Sequence, residues 1–302
     1  QKRSKAAPRG MVLDTAGERL ADNRASFDLK VTLNDVGKDF DALAEKLSRH
    51  IEMTPDEIRA AVAKAKKKKG FSNYKPALIK EDLSWPEVTK WEAFKSELHG
   101  TEIDIGIKRT YLYGDLFAHQ VGYLGEVGEK ELAELQKKYG KKYGDDYYQL
   151  GHEWGKYGVE QKFEEMLKGR DGMRILAKDR LGRELSMEDA GRFLEELSTL
   201  IMQGTSEVPG NNVRLSIDLG LQQQIAAKFG DQSGAVVVID VRTGLIRAMF
   251  NHPTFDPEIF ARGISQAEWD ALSTHTDHPL EDKAIRGIYP PGSTYKLFTA
   301  AA

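Results

Sequence analysis

Tyr289-Pro290-Pro291-Gly292 leaves the backbone little freedom of direction, and the residues after it suit a helix that buries one face: Ser293-Thr294-Tyr295-Lys296, then Leu297-Phe298-Thr299-Ala300-Ala301-Ala302. Ser293 therefore falls at a helix N-terminus. Lys296, three residues on, shares its face, so the amine can reach back to the hydroxyl. The partial positive charge of the helix end favours a developing alkoxide. Burial of the lysine would lower its pKa and supply a neutral amine able to accept a proton. A nucleophile beside a base reads as acyl transfer through a serine ester. The spacing alone is weak, because serine and lysine are common and Ser72-Asn73-Tyr74-Lys75 repeats it. There Pro76 biases Lys75 away from the helical region, and that segment is expected to be a loop. The plain alternative for Ser293 is a capping serine with Lys296 as a solvated first-turn lysine.

The residues upstream separate these readings. Gly234-Ala235-Val236-Val237-Val238-Ile239-Asp240 predicts a strand, Arg242-Thr243-Gly244 a tight turn, and Leu245-Ile246-Arg247-Ala248-Met249 a second strand. Pro253-Thr254-Phe255-Asp256-Pro257 follows, and Ile285-Arg286-Gly287-Ile288 leads into the Pro-Pro-Gly-Ser-Thr-Tyr-Lys run. This succession resembles the opening of the transpeptidase domain of class B penicillin-binding proteins. The resemblance implies that Ser293 is the nucleophile and Lys296 its partner base.

At 302 residues the chain is long enough for two domains with sizeable cores. A net charge of −3 gives no reason to expect nucleic acid, and Lys66-Lys67-Lys68-Lys69 is read as the dipole-compensating end of a helix. With no cysteine, disulfides and thiol catalysis are excluded, and an oxidising compartment is allowed. No stretch approaches the eighteen or so apolar residues of a membrane span. The opening Gln1-Lys2-Arg3-Ser4-Lys5 has no apolar region behind it and is not a signal peptide.

Taken in order, Arg9-Gly10-Met11-Val12-Leu13-Asp14 and Gly17-Glu18-Arg19-Leu20-Ala21 predict strand, turn and strand. Phe40, Leu43, Ala44, Leu47 and Ile51 recur at helical spacing. Thr54-Pro55-Asp56-Glu57 is a capping box for a helix with face Ile58, Ala61, Val62 and Ala65, ending at Gly70. Ser84 and Glu87 open a third helix with face Val88, Trp91, Phe94 and Leu98, and alternation of Ile103, Ile105 and Ile107 marks a half-buried strand. These elements make a small α+β head over about 38–108. His119, single on a mostly apolar helix, is read as a satisfied structural residue. Ser186 caps a helix with face Ala190, Phe193, Leu194, Leu197 and Ile201. The best domain boundary is Val208-Pro209-Gly210-Asn211-Asn212, after which Asp218 caps a helix over Leu219 to Phe229. The stretch from Ser265 to Pro279 reads as a solvated polar loop. His275, Asp277 and His278 fix no tetrahedral set, so no metal or other cofactor is expected.

Beside the resemblance, the first hairpin looks like the family's anchor motif, with Thr15 and Ala16 where an arginine and an asparagine are usual. Arg109 to Gly125, with Gly158-Val159-Glu160-Gln161-Lys162-Phe163 and Leu167-Lys168-Gly169-Arg170-Asp171-Gly172, is similar to the pedestal of the elongation-specific branch more closely than to that of the division-specific one, which stays as the alternative. The implied architecture is α+β: an elongated, non-penicillin-binding pedestal over 1–212, then the first part of a serine β-lactamase-like transpeptidase domain over 213–302. The implied activity is peptidoglycan D,D-transpeptidation, with D-Ala-D-Ala stem peptides as donors and β-lactams as inhibitors. A docking role for the pedestal stands beside it, with a SEDS-family, RodA-like glycosyltransferase and an MreC-like scaffold as implied partners. The family also implies a single membrane anchor before residue 1, which places this region in the periplasm. Its serine-x-asparagine and lysine-threonine-glycine motifs are expected beyond Ala302.

Overall fold

The computed structural model describes residues 2–37, 39–67, 71–144, 147–175 and 206–302. Its chain forms two compact units, one of Gln1–Pro8, Asn23–Lys108 and Arg170–Val208, the other of Arg9–Asp22, Arg109–Gly169 and Pro209–Ala302. The helix expected after Ser186 lies outside the described residues, as do Lys68, Lys69 and Gly70.

In the first unit the capping signals hold. Pro55–Lys66 is helical, with Glu57 N donating to Thr54 Oγ1 at 3.3 Å and Thr54 N donating to Glu57 Oε2 at 2.8 Å. Trp85–Phe94 is helical too, its first turn tied by Ser84 N and Ser84 Oγ to Glu87 Oε2 at 2.9 and 2.8 Å. With Phe40–Leu47 these helices bury Leu43, Leu47, Ile58 and Val62 against Leu29 and Val31 of the Arg19–Val31 strand and Ile79 of Ala77–Lys80. Such burial stabilises by about 1.5–3 kcal/mol per large aliphatic side chain. Ser72 to Lys75 lies in a turn, with Lys75 N bonded to Ser72 O. The isoleucine alternation falls on the strand Thr101–Tyr111, but only Ile103 packs on the core, while Ile105 and Ile107 are exposed. Alternation fixes which face a side chain takes; whether that face is covered depends on another element.

The second unit begins with the expected hairpin, in which Val12–Leu13 pairs antiparallel with the strand from Arg19 and parallel with Val213–Arg214. Asp14 holds its turn. Its Oδ1 accepts from the amides of Ala16 (2.7 Å) and Glu18 (2.8 Å), and Oδ2 from Leu219 N (3.2 Å). Burial alone would raise the Asp14 pKa, and those backbone amides hold it below the ordinary value instead. Because position 16 contributes its main-chain N–H, alanine there leaves the turn intact.

A buried ionic cluster ties this unit together, and it left no local signal in the sequence. Arg9 Nε lies 2.6 Å from Glu160 Oε2, and Arg9 Nη2 lies 2.5 Å from Glu164 Oε2. Arg109 Nε donates to Glu160 Oε1 (2.7 Å) and its Nη1 to Gly10 O (2.9 Å). Tyr148 Oη and Gly155 N complete the shell of Glu164. Burial would lower the pKa of Arg9, but Glu160 and Glu164 overcome it and the net shift is upward. Both carboxylates are fully engaged, Glu160 by the two guanidinium groups and Glu164 by Arg9, Tyr148 and Gly155 N, so they are structural.

Candidate active site

The approach to Ser293 is built from one hairpin and the side chains that clamp it. Gly234–Ile239 pairs antiparallel with Ile246–His252, as its β-branched composition predicts, through a turn in which Gly244 takes φ +74°. The Leu219–Phe229 helix, capped by Asp218 through Leu221 N (2.9 Å), lies beside it. Fully buried Gln222 fastens the two. Its Oε1 accepts from Met249 N (3.0 Å) while Nε2 donates to Met249 O (2.8 Å) and Leu116 O (3.2 Å).

Asn251 carries the connection onward. Its Oδ1 accepts from Ala284 N (2.8 Å) and its Nδ2 donates to Asp282 Oδ1 (3.1 Å), which also caps the Lys283–Arg286 helix through Ile285 N (3.3 Å). Lys283 Nζ donates to His278 O at 3.0 Å. At Gly287 a Cβ would stand 2.5 Å from Lys283 O and 2.4 Å from the Tyr289 ring, so only glycine lets the chain turn there.

Ser293 then lies in the 3₁₀ turn Gly292–Tyr295, and Lys296 opens the α-helix Lys296–Ala301. The order of turn, hydroxyl, helix and amine is that expected from the sequence. The burial expected for it is absent. Every residue from 288 to 302 is exposed, with Leu297 at 77% and Phe298 at 71%. An apolar stripe is buried only when a second element lies across it, and no described residue does so here. Ser293 Oγ and Lys296 Nζ make no hydrogen bond to each other among the described residues.

The stretch from Ser265 to Pro279 departs from the expected loop. It holds a helix, Gln266–Ser273, opened by a Ser265/Glu268 capping box. That signal stood in the sequence as S-x-x-E and was outweighed by the polar composition around it. His275 Nδ1 accepts from Asp277 N (3.1 Å) in the turn that follows. No group of three or more metal-ligating side chains converges among the described residues. Nor is any described helix long and apolar enough to cross a membrane.

Comparison with known proteins gives a consistent result. Residues 4–215 match the penicillin-binding protein dimerisation domain, and residues 234–302 match the penicillin-binding protein transpeptidase domain. The chain is 32% identical over 298 residues to the peptidoglycan D,D-transpeptidase MrdA of Acinetobacter baumannii, covering 97% of this chain and 40% of that protein. It is 29% identical over 300 residues to the protein of the same name from Escherichia coli K12, covering 98% and 43%. The chain thus spans less than half the length of these curated relatives. Among solved structures it is similar to a complex between penicillin-binding protein 2 and MreC from Helicobacter pylori. The TM-score is 0.76 at 22% identity, covering 99% of this chain and 51% of that one, which shows a shared fold.

Proposed function

Since the chain belongs to the penicillin-binding proteins that carry a dimerisation domain ahead of a transpeptidase domain, we propose that it is part of a peptidoglycan D,D-transpeptidase with Ser293 as nucleophile and Lys296 as general base. The observation that carries this is the placement of both residues within one turn at the mouth of a helix, led in by a clamped hairpin. Lys296 takes the proton of Ser293 as Oγ bonds to the carbonyl carbon of the penultimate D-alanine. The C–N bond to the terminal D-alanine then breaks, and that amine leaves with the proton. An amine of a neighbouring stem peptide attacks the ester, forms the cross-link and returns the serine. A β-lactam amide meets the same hydroxyl.

The reading places the pedestal over 1–212, the transpeptidase portion from 213, and the whole on the periplasmic side of a membrane anchor. Fluorescent penicillin labelling of the full-length protein tests it. Wild type is expected to become covalently labelled and Ser293→Ala to remain unlabelled; labelling of Ser293→Ala would move the nucleophile elsewhere.

A second role rests on the first unit. Trp85, Ile105 and Ile107 are exposed there, and a protein of the same fold has been solved with MreC bound. We propose that the pedestal also docks an MreC-like scaffold and a RodA-like glycosyltransferase of cell elongation. Retention of an MreC-like partner by the full-length protein, and its loss in Trp85→Asp/Ile105→Asp, is the expected outcome.

A further inference from the structure

Within the first unit the two edges of the strand Arg19–Val31 are covered unequally. Along one edge it pairs with Thr101–Tyr111. Along the other, Ala77–Lys80 pairs with Leu29, Lys30 and Val31 and then leaves, turning at Asp82, whose φ of +56° is uncommon for a residue with a side chain. Alternate residues of an antiparallel strand turn their N–H and C=O to opposite edges. Thr32 N bonds to Gly100 O on the first edge, and Phe27 O accepts from Leu83 N (2.7 Å) on the second. Ala25, two residues before Phe27, therefore turns its N–H and C=O to the second edge, where no described strand pairs with it. It is exposed, and the contact its carbonyl makes there is a long one, to the Arg24 guanidinium at 3.4 Å.

A cavity of about 420 Å³ opens beside this edge, and Ala25 is part of its wall. Its apolar lining is Phe27, Leu83 and Trp85, with the Phe27 and Trp85 rings 4.9 Å apart at 57°. Its polar lining is Ser84 and the Arg24–Asp82 pair, bonded through both carboxylate oxygens at 2.6 and 2.5 Å. Open sheet edges are commonly blunted by charge, and that ion pair serves this end. It does not account for the cavity, or for a tryptophan left 69% exposed at its wall. Arg24 and Asp82 neutralise each other. Glu81, next in the chain, is exposed and has no ion-pair partner among the described residues, so the rim carries an excess negative charge.

We propose that this edge receives an extended segment of the scaffold partner as a further strand. Its backbone bonds to Ala25 N–H and C=O, one large apolar side chain enters the cavity against Phe27, Leu83 and Trp85, and a basic side chain beside it meets Glu81. In strand addition the main-chain bonds supply affinity, and pockets for alternate side chains supply selectivity; an unpaired N–H and C=O next to an apolar cavity provides both. The proposal rests on the reading of the first unit as a docking module, and adds the mode of binding and the chemistry of the segment bound.

The probe is the periplasmic part of the MreC-like scaffold from the same organism, added to the full-length protein. Residue-resolved hydrogen–deuterium exchange of the wild type reads the edge directly: the Ala25 amide is expected to exchange at least tenfold more slowly once the scaffold is bound. Ala25→Pro removes that N–H at a position where an edge tolerates proline, and is expected to weaken binding about tenfold or more. Ala25→Ser keeps the N–H and should bind as wild type does. Trp85→Ala, which opens the cavity, should cost about thirtyfold, the usual worth of an anchor side chain. Glu81→Lys should slow association severalfold; a rate indifferent to it would overturn the basic residue assigned to the segment. Scaffold that binds the wild type without protecting Ala25, or binds Ala25→Pro as tightly as Ala25→Ser, would overturn strand addition and leave docking through the apolar face alone. A wild type that retains no scaffold would instead sink the docking reading itself.

Discussion

The Arg9–Glu160 cluster and the Ser293–Lys296 turn are opposites in how they are held. In the first, four charged side chains and a tyrosine are buried, and each carboxylate is met by a guanidinium group. In the second, hydroxyl and amine stand on an exposed turn, without a partner among the described residues. The cluster has much to hold it and no chemistry to perform. The turn is where the proposed chemistry would take place, while what this stretch of chain supplies to hold it ends at Gly287. Spacing can therefore suggest a nucleophile and base, but low-dielectric surroundings of the kind that favour a neutral amine come only from packing by a second element.

Lys296→Gln should sharpen that contrast most. It removes the proton acceptor and leaves an exposed polar residue of similar length. Penicillin acylation of the full-length protein should fall about 10²- to 10⁴-fold, the usual worth of general base catalysis, with the unfolding transition unchanged. A variant acylated at the wild-type rate would make Lys296 the solvated first-turn lysine of the plain alternative.

Glu160→Gln tests the other side. It leaves Arg9 and Arg109 buried without the carboxylate they share, and breaking a buried pair this way costs about 3–5 kcal/mol. Thermal unfolding should show a large drop in midpoint. If the midpoint barely moves, the cluster is not what holds Arg9–Gly10 against the Gly158–Lys162 helix. Gly210→Ala is a smaller, purely steric probe of the same region. Its Cβ would meet Leu167 O at 1.7 Å, so the backbone must shift, at about 1–3 kcal/mol, the usual cost of overpacking.

What could be read in the sequence follows from the range of the interactions. Thr54 with Glu57, Ser84 with Glu87, and Asp218 ahead of Leu219 are decided within one helical turn, and the structure has each where it was expected. The hairpin over Gly234–His252 is similarly local. Glu160 stands 151 positions from Arg9, and nothing near either residue marks the other as its partner. Ile105 shows a third case. Its face was legible from alternation, and its exposure was not, because cover depends on where the helices end. The Ser265/Glu268 box was legible and was masked by composition. At the candidate site, the order of Ser293 and Lys296 along turn and helix was legible, and the lack of cover over Leu297 and Phe298 among the described residues was not.

The smallest effect concerns Glu87, which brings a charge-satisfying shell to the first unit much as Glu160 does to the second. Glu87 accepts from Lys80 Nζ (2.5 Å), Glu52 N (2.7 Å), Ser84 N and Ser84 Oγ. Burial would raise its pKa from 4.5, but Lys80 and the amides of Glu52 and Ser84 more than offset this and hold it at about 2. A carboxyl depressed on folding contributes stability that is fully present above its unfolded value and is lost as pH falls through the folded one. Wild type should therefore lose on the order of 1–3 kcal/mol between about pH 4.5 and 2 from this group. Glu87→Gln keeps the shape and gives up the charge, so it should be less stable than wild type at neutral pH by that amount. The gap should close as the pH approaches 2. Unfolding midpoints of both proteins measured across that range decide it: a gap that stays constant with pH would mean that Glu87 acts through shape and capping geometry rather than through its charge.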